Sequence, residues 1–199
     1  MLQPINSISS LAYILVALVT LIRFKNFRKF PFLLLQLLLV AIGIGSFYYH
    51  AKFTLLGQLL DIESMILFVL VWLFIQNTQR SNRHFFWFLL IITVTSIGIS
   101  IVMPQIRRMI FILLLLFAII KEIKVQKLTT NNLNKDFVKG TFALLLAGIL
   151  WTLDINKIFC NPNGVVQLHS IYHVLTGLSA YFLIKYLTEY KDRDLPNLQ

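Results

Sequence analysis

Charge is scarce in this sequence and cysteine is almost missing. Only 13% of the 199 residues are charged against 58% that are apolar, and the mean hydropathy is +0.78. So little charge cannot cover a water-soluble globule, which makes lipid the expected solvent. The single cysteine, Cys160, cannot form an intramolecular disulfide, so it says nothing firm about redox compartment and reads as a free or partly buried thiol. Acidic residues are fewest, eight against eighteen Lys and Arg, giving a net charge of +10. Without a soluble basic groove to carry it, that charge does not point to nucleic acid. Basic residues are also missing before the first apolar stretch, whereas Arg23, Lys25, Arg28 and Lys29 follow it. This is the reverse of a cleavable signal peptide, so the first stretch is expected to stay as a membrane helix with its N-terminus outside.

Long apolar runs are plentiful. A helix needs about 20 mostly apolar residues to cross about 30 Å of hydrocarbon, and seven such spans would use most of the chain. They are expected at Ile8 to Phe24, Pro31 to Ala51, Leu55 to Ile75, Phe85 to Met103, Met109 to Ile120, Phe137 to Leu153 and Leu168 to Leu187. Pro31 suits a first helical turn, Pro104 ends the fourth span, and Asn161, Pro162, Asn163 and Gly164 read as turns. The fifth span is short unless Gln105 to Arg108 extend it and the arginines snorkel to the interface. The expected fold is all-α, a single seven-helix membrane domain over residues 1–199.

The basic residues orient it. Among the eighteen Lys and Arg, only Lys52, Arg107, Arg108 and Lys157 fall in the loops that would share the N-terminal side. Basic residues are retained in the cytoplasm, so the N-terminus is placed outside and the C-terminus inside. Attraction to anionic lipid is a secondary effect of the same charge.

Ionisable residues inside spans cost at least about 2.5 to 3.5 kcal/mol each at the bilayer centre, so each needs a reason. Ser46 and His50 close the second span, Asp61 and Glu63 lie near the start of the third, Trp151 and Asp154 close the sixth, and His169 and His173 open the seventh. The topology carries all of them to the outer end. His169 and His173, spaced i, i+4, share one helix face and can hold one metal ion, with His50 as third ligand. A lone membrane histidine is more often an interhelical hydrogen-bonding residue, but three of the four histidines share this depth, and the fourth, His84, sits beside Arg80 and Arg83 at the opposite face. Spacing alone leaves the metal's identity open. Asp61 could accept a proton from water at the metal, fix a histidine tautomer, or pair with Lys52. Ser46, one turn before His50, could donate to a developing oxyanion or bond back to the carbonyl of Ile42. Glu63 points to another face and reads as an interfacial or packing residue. Gly43 and Gly45 permit close helix approach, and Asp154 could cap a helix or pair with Lys157.

The stretches GIGSFYYHA at Gly43 to Ala51, QLLDIESM at Gln58 to Met65, WTLD at Trp151 to Asp154 and HSIYHVLTGLSAY at His169 to Tyr181 resemble the alkaline ceramidase family. That family belongs to a wider superfamily of seven-helix membrane hydrolases that includes the progestin and adiponectin receptors. The receptor branch is less similar, because its aspartate normally lies farther from the first histidine. The resemblance implies a zinc amidase cleaving the N-acyl bond of ceramide, or of a related N-acyl lipid, to a long-chain base and a fatty acid. It makes His50, His169 and His173 zinc ligands, Asp61 the residue acting on water at the metal, and Ser46 a support. The implied partners are a membrane lipid substrate and the bilayer. A receptor-like protein with a structural zinc is the competing expectation, and an ion pathway comes last.

Three departures accompany the resemblance. The family's acidic calcium-binding loop is matched only by Asn6, with Gln3 at an acidic position, which argues against calcium. The usual disulfide partner of Cys160 is missing with that loop. The family's D-E pair reads Asp61-Ile62, with Glu63 displaced by one. This compactness suggests a bacterial relative, in the inner membrane with its site toward the non-cytoplasmic side.

Overall fold

The computed structural model of the chain describes residues 1–24, 32–76, 82–159, 164 and 166–191. Lys25, Arg28, Lys29, Pro31, Arg80, Arg193, Cys160, Asn161, Pro162 and Asn163 lie outside the described residues, as do the side chains of Arg83 and His84. Among the described residues every regular element is a helix. The helices are α1 (Pro4–Ser9), α2 (Leu11–Arg23), α3 (Phe32–Lys52), α4 (Leu55–Ile75), α5 (Asn82–Val102), α6 (Ile106–Thr130), α7 (Lys135–Ile155) and α8 (Leu168–Lys191).

Local chemistry sets the boundaries. Pro4 stands in the first turn of α1, where its missing N–H costs nothing, and Ser10 keeps helical φ and ψ, so α1 and α2 run on as one 20-residue apolar rod. The α3–α4 link is only Phe53 and Thr54. Phe53 takes a left-handed φ of 50°, and the Thr54 hydroxyl accepts from the amide of Gly57, so α4 starts at once and runs back along α3. Asn131 ends α6 in the left-handed region at φ 55°, and the Asn134 side chain caps α7 through the amides of Asp136 and Phe137.

Pro4–Arg23, α3, α4 and α7 are each long and apolar enough to cross a membrane, and α5 carries a shorter apolar stretch, Phe86–Val102. This is a multi-pass membrane protein. Among the described residues each of the seven expected spans overlaps a helix, but the first rod begins at Pro4 rather than Ile8, and α6 needs correction. The short apolar run Met109 to Ile120 is the middle of a 25-residue helix that takes in Arg107 and Arg108 at one end and Lys121, Lys124 and Lys127 at the other. The expected snorkelling of both arginines also needs correction, because Arg107 turns inward and is only 6% exposed.

The helices pack in a row α7, α8, α2, α3, α4, α6, with α5 outside against α4 and α6. Two of the tightest contacts use glycine. A Cβ on Gly45 would meet the Asp61 nitrogen at 2.7 Å and the Leu60 carbonyl carbon at 2.8 Å, so α3 and α4 touch backbone to backbone beside Asp61. A Cβ on Gly43 would meet Ile14 at 2.6 Å and the Ser10 carbonyl at 3.2 Å, which seats the α1–α2 junction on α3. The apolar core, with Leu35, Leu39, Val71, Trp72 and Ile184 at its centre, fills the bundle away from the histidines. α6 and α7 are consecutive in sequence but do not pack closely, and a cavity lies inside the row between them.

Candidate metal centre

The C-terminal carbonyls of α3 have no partner within their own helix. Here the N-terminal segment supplies partners: the amide of Leu2 donates to the Ala51 carbonyl at 3.2 Å and the amide of Gln3 to the His50 carbonyl at 3.1 Å. This cap places the Gln3 side chain beside His50, whose Nδ1 lies 2.7 Å from Gln3 Oε1. α1 then passes over α8, and His173 Nδ1 meets the Asn6 carbonyl at 3.1 Å and Ser9 Oγ at 2.9 Å. On the other side, the last turn of α7 brings Asp154 Oδ2 to 3.6 Å from His169 Nδ1.

Each imidazole is thus turned by a neighbour at its Nδ1. An amide oxygen and a backbone carbonyl can only accept, so His50 and His173 donate from Nδ1 and carry a bare lone pair on Nε2. The rings converge, with centroids 4.8 Å apart for His50 and His169, 5.1 Å for His50 and His173, and 4.7 Å for His169 and His173. One nitrogen from each ring lies within 4.8 Å of the others, and His50 and His173 are buried while His169 is half-buried. Three neutral imidazoles, oriented by acceptors behind them, are a donor set suited to zinc and to other first-row metals.

Around the rings stand the other polar groups. Ser46 Oγ lies 3.3 Å from His173 Nε2 and accepts from the Ser10 hydroxyl at 3.0 Å, so it faces the histidines. The Tyr13 hydroxyl bonds to Thr176 Oγ1 at 2.5 Å, and its ring meets the His173 ring edge to face. Asp61 lines the same cavity as the three histidines, within electrostatic reach of Tyr13 and Tyr172. Lys52 lies over the Tyr48 ring, and no ion pair joins it to Asp61 among the described residues. Glu63, buried on another face of α4, accepts from Ser100 Oγ of α5 at 2.7 Å. It is a helix-packing residue, not an interfacial one. Asp154 serves His169 rather than a helix cap or Lys157. Gln3, Ser9 and Ser10 were not legible as site residues. Nothing in their spacing signals a contact that exists only once the N-terminus caps α3.

The cavity measures about 640 Å³. Beyond the histidines it is walled mainly by apolar side chains, among them Trp72, Leu115, Ile119, Leu144 and Leu183. Such a shape suits a ligand with a polar end at the rings and an apolar tail in the bundle.

The chain is 25% identical over 214 residues to an alkaline ceramidase of Drosophila melanogaster, covering 98% of this chain and 74% of that one. It is 26% identical over 199 residues to an alkaline ceramidase of Caenorhabditis elegans, covering 88% and 70%. It is 28% identical over 167 residues to alkaline ceramidase 3 of Mus musculus, covering 74% and 62%. These relatives are eukaryotic and give no support to a bacterial inner membrane. A family model described as Ceramidase matches residues 3–194, nearly the whole length, and the chain belongs to that family of amide hydrolases.

Proposed function

We propose that the chain is a zinc-dependent membrane amidase that hydrolyses the N-acyl bond of ceramide, or of a closely related N-acyl lipid, to a long-chain base and a fatty acid. The observation that carries this reading is the cluster of three histidines opening onto a largely apolar cavity of about 640 Å³ in a chain of the ceramidase family. His50, His169 and His173 would hold the ion. Bound zinc polarises an amide carbonyl and brings water within reach of deprotonation near neutral pH. The remaining work falls to the chain. Asp61, on the cavity wall, takes the proton from the attacking water and returns it to the departing nitrogen. The Ser46 hydroxyl, beside His173, is positioned to donate to the carbonyl oxygen as charge develops on it. The apolar wall holds the acyl chain and excludes water.

In this reading residues 1–199 form one domain. All seven rods cross the bilayer, with the N-terminus and the histidine end on the non-cytoplasmic side. The test is metal analysis of the purified chain together with fatty-acid release from ceramide. One zinc per chain and ceramide turnover are expected, and His169→Ala should lose both. Full zinc occupancy in His169→Ala would exclude the ligand set, and a zinc-loaded wild-type protein that cleaves no N-acyl lipid would exclude the activity.

A further inference from the structure

Arg107 is the second residue of α6, 6% exposed, and it lines the cavity. Its Nη1 is buried without a hydrogen-bond partner, and no ion pair engages it among the described residues. Glu63 is within electrostatic reach, with Oε1 bonded to Ser100 and Oε2 buried without a hydrogen-bond partner, but no ion pair joins it to the guanidinium among the described residues. A guanidinium stays charged, and an unmatched buried charge is costly, so the site calls for a counter-charge brought by a ligand. Arg108, next in the chain, lies over the Trp151 ring at 5.9 Å and within electrostatic reach of His169, which puts both arginines at the histidine end of the cavity.

The spacing along α6 says what that ligand looks like. Arg107, Phe111, Leu115 and Ile119 recur every four residues, and all four line the cavity. One helix face therefore carries a cation at the histidine end and only apolar rungs beyond it. An N-acyl lipid with its tail along those rungs and its amide at the histidines presents the amine half of the molecule to the arginines. Guanidinium pairs bidentately with carboxylate and phosphate, and a neutral hydroxyl would leave the charge unmatched.

We propose that Arg107, flanked by Arg108, forms a subsite for an anionic oxygen group, carboxylate or phosphate, on the amine half of the N-acyl lipid. This rests on the amidase reading and adds to it a preference for acidic N-acyl lipids over neutral ceramide.

The full chain in phosphatidylcholine nanodiscs is assayed with three substrates of the same acyl chain: an N-acylserine, a ceramide phosphate and ceramide. One of the acidic lipids should be preferred over ceramide, mainly through KM, and the better of the two identifies the anion. Arg107→Gln should raise KM for that lipid about 10- to 100-fold more than for ceramide, the scale of a lost hydrogen bond to a charged group, and Arg107→Lys should recover part of it. Equal loss on acidic and neutral substrates, or no preference in the wild type, overturns the proposal. So does weaker inhibition by free oleate with substrate preference unchanged, since Arg107 would then read the released fatty acid. Calorimetric binding of the N-acylserine to wild type and Arg107→Gln decides the matter if no lipid is turned over. That result would sink the amidase reading alone, whereas equal affinities would sink the subsite.

Discussion

Behind each of the three histidines stands an oxygen, and a carboxylate, Asp61, lines the cavity onto which the rings open. Gln3, Asn6 and Asp154 act on the rings from the Nδ1 side, whereas Asp61 lines the cavity and forms no ion pair with a histidine among the described residues. In the proposed mechanism metal retention and proton transfer are therefore separable. Asp61→Asn keeps the side-chain shape but cannot accept a proton at neutral pH. It should retain zinc while hydrolysis falls by about 100-fold or more, the usual scale for losing a general base. Metal content and turnover measured on one preparation check this. Zinc lost along with activity would make Asp61 a support of the metal, and activity kept would make it structural. The histidines were legible because the helical period places i and i+4 together, and because the depth of His50 follows from the length of its span. Gln3 and the inward turn of Arg107 were not legible. Both depend on which way a side chain leaves its helix end, and neighbours from other elements decide that.

Helix contacts carry these side chains to the site, and the α3–α4 contact places Ser46, His50 and Asp61 together. Gly45 is where its tolerance is smallest, because the atoms a Cβ would meet belong to the α4 backbone and cannot rotate away. Gly45→Ala should push the two helices apart, cost about 1 to 3 kcal/mol as overpacking does, and lower activity by moving Asp61 from the histidines. Gly98 of α5 meets nothing within 4 Å, so Gly98→Ala should be neutral or stabilising by up to about 1 kcal/mol through helix propensity. Thermal unfolding and turnover of both variants check the pair; equal tolerance at the two sites would mean that α3 and α4 slide freely. The sequence marked Gly43 and Gly45 as close-approach positions, and both are. It fell short on α6, because a hydropathy reading stops where lysines begin. In α6 the helix continues past them with Glu122 and Gln126 turned inward and Lys124 and Lys127 turned out.

Across the whole molecule, polarity collects at two ends with the apolar core between. One end holds the histidines. The other holds the buried Glu122 carboxylate, which accepts from Gln76 and Tyr186 and so ties α4, α6 and α8 together, near the ion pair of Asp136 and Lys185 at 2.7 Å. These bonds stabilise modestly, on the order of 0.6 to 2 kcal/mol each for polar contacts between membrane helices. They carry no orientation signal; in the proposed topology the basic residues supply it. Lys121, Lys124, Lys127 and Lys185 gather toward the Glu122 end, whereas the histidine end has Lys52, Arg107, Arg108 and Lys157, with Arg107 committed to the cavity. In the proposed topology insertion would retain the richer cluster in the cytoplasm, which would direct the histidine end to the other side. With Cys160 first replaced by Ser, single cysteines at Lys52, Lys127 and Lys157, all exposed, report this in intact cells. A membrane-impermeant maleimide should label positions 52 and 157 and spare 127 until the membrane is opened. The reverse pattern would put the histidine end in the cytoplasm and send the substrate in from the inner leaflet, with the geometry of the site unchanged.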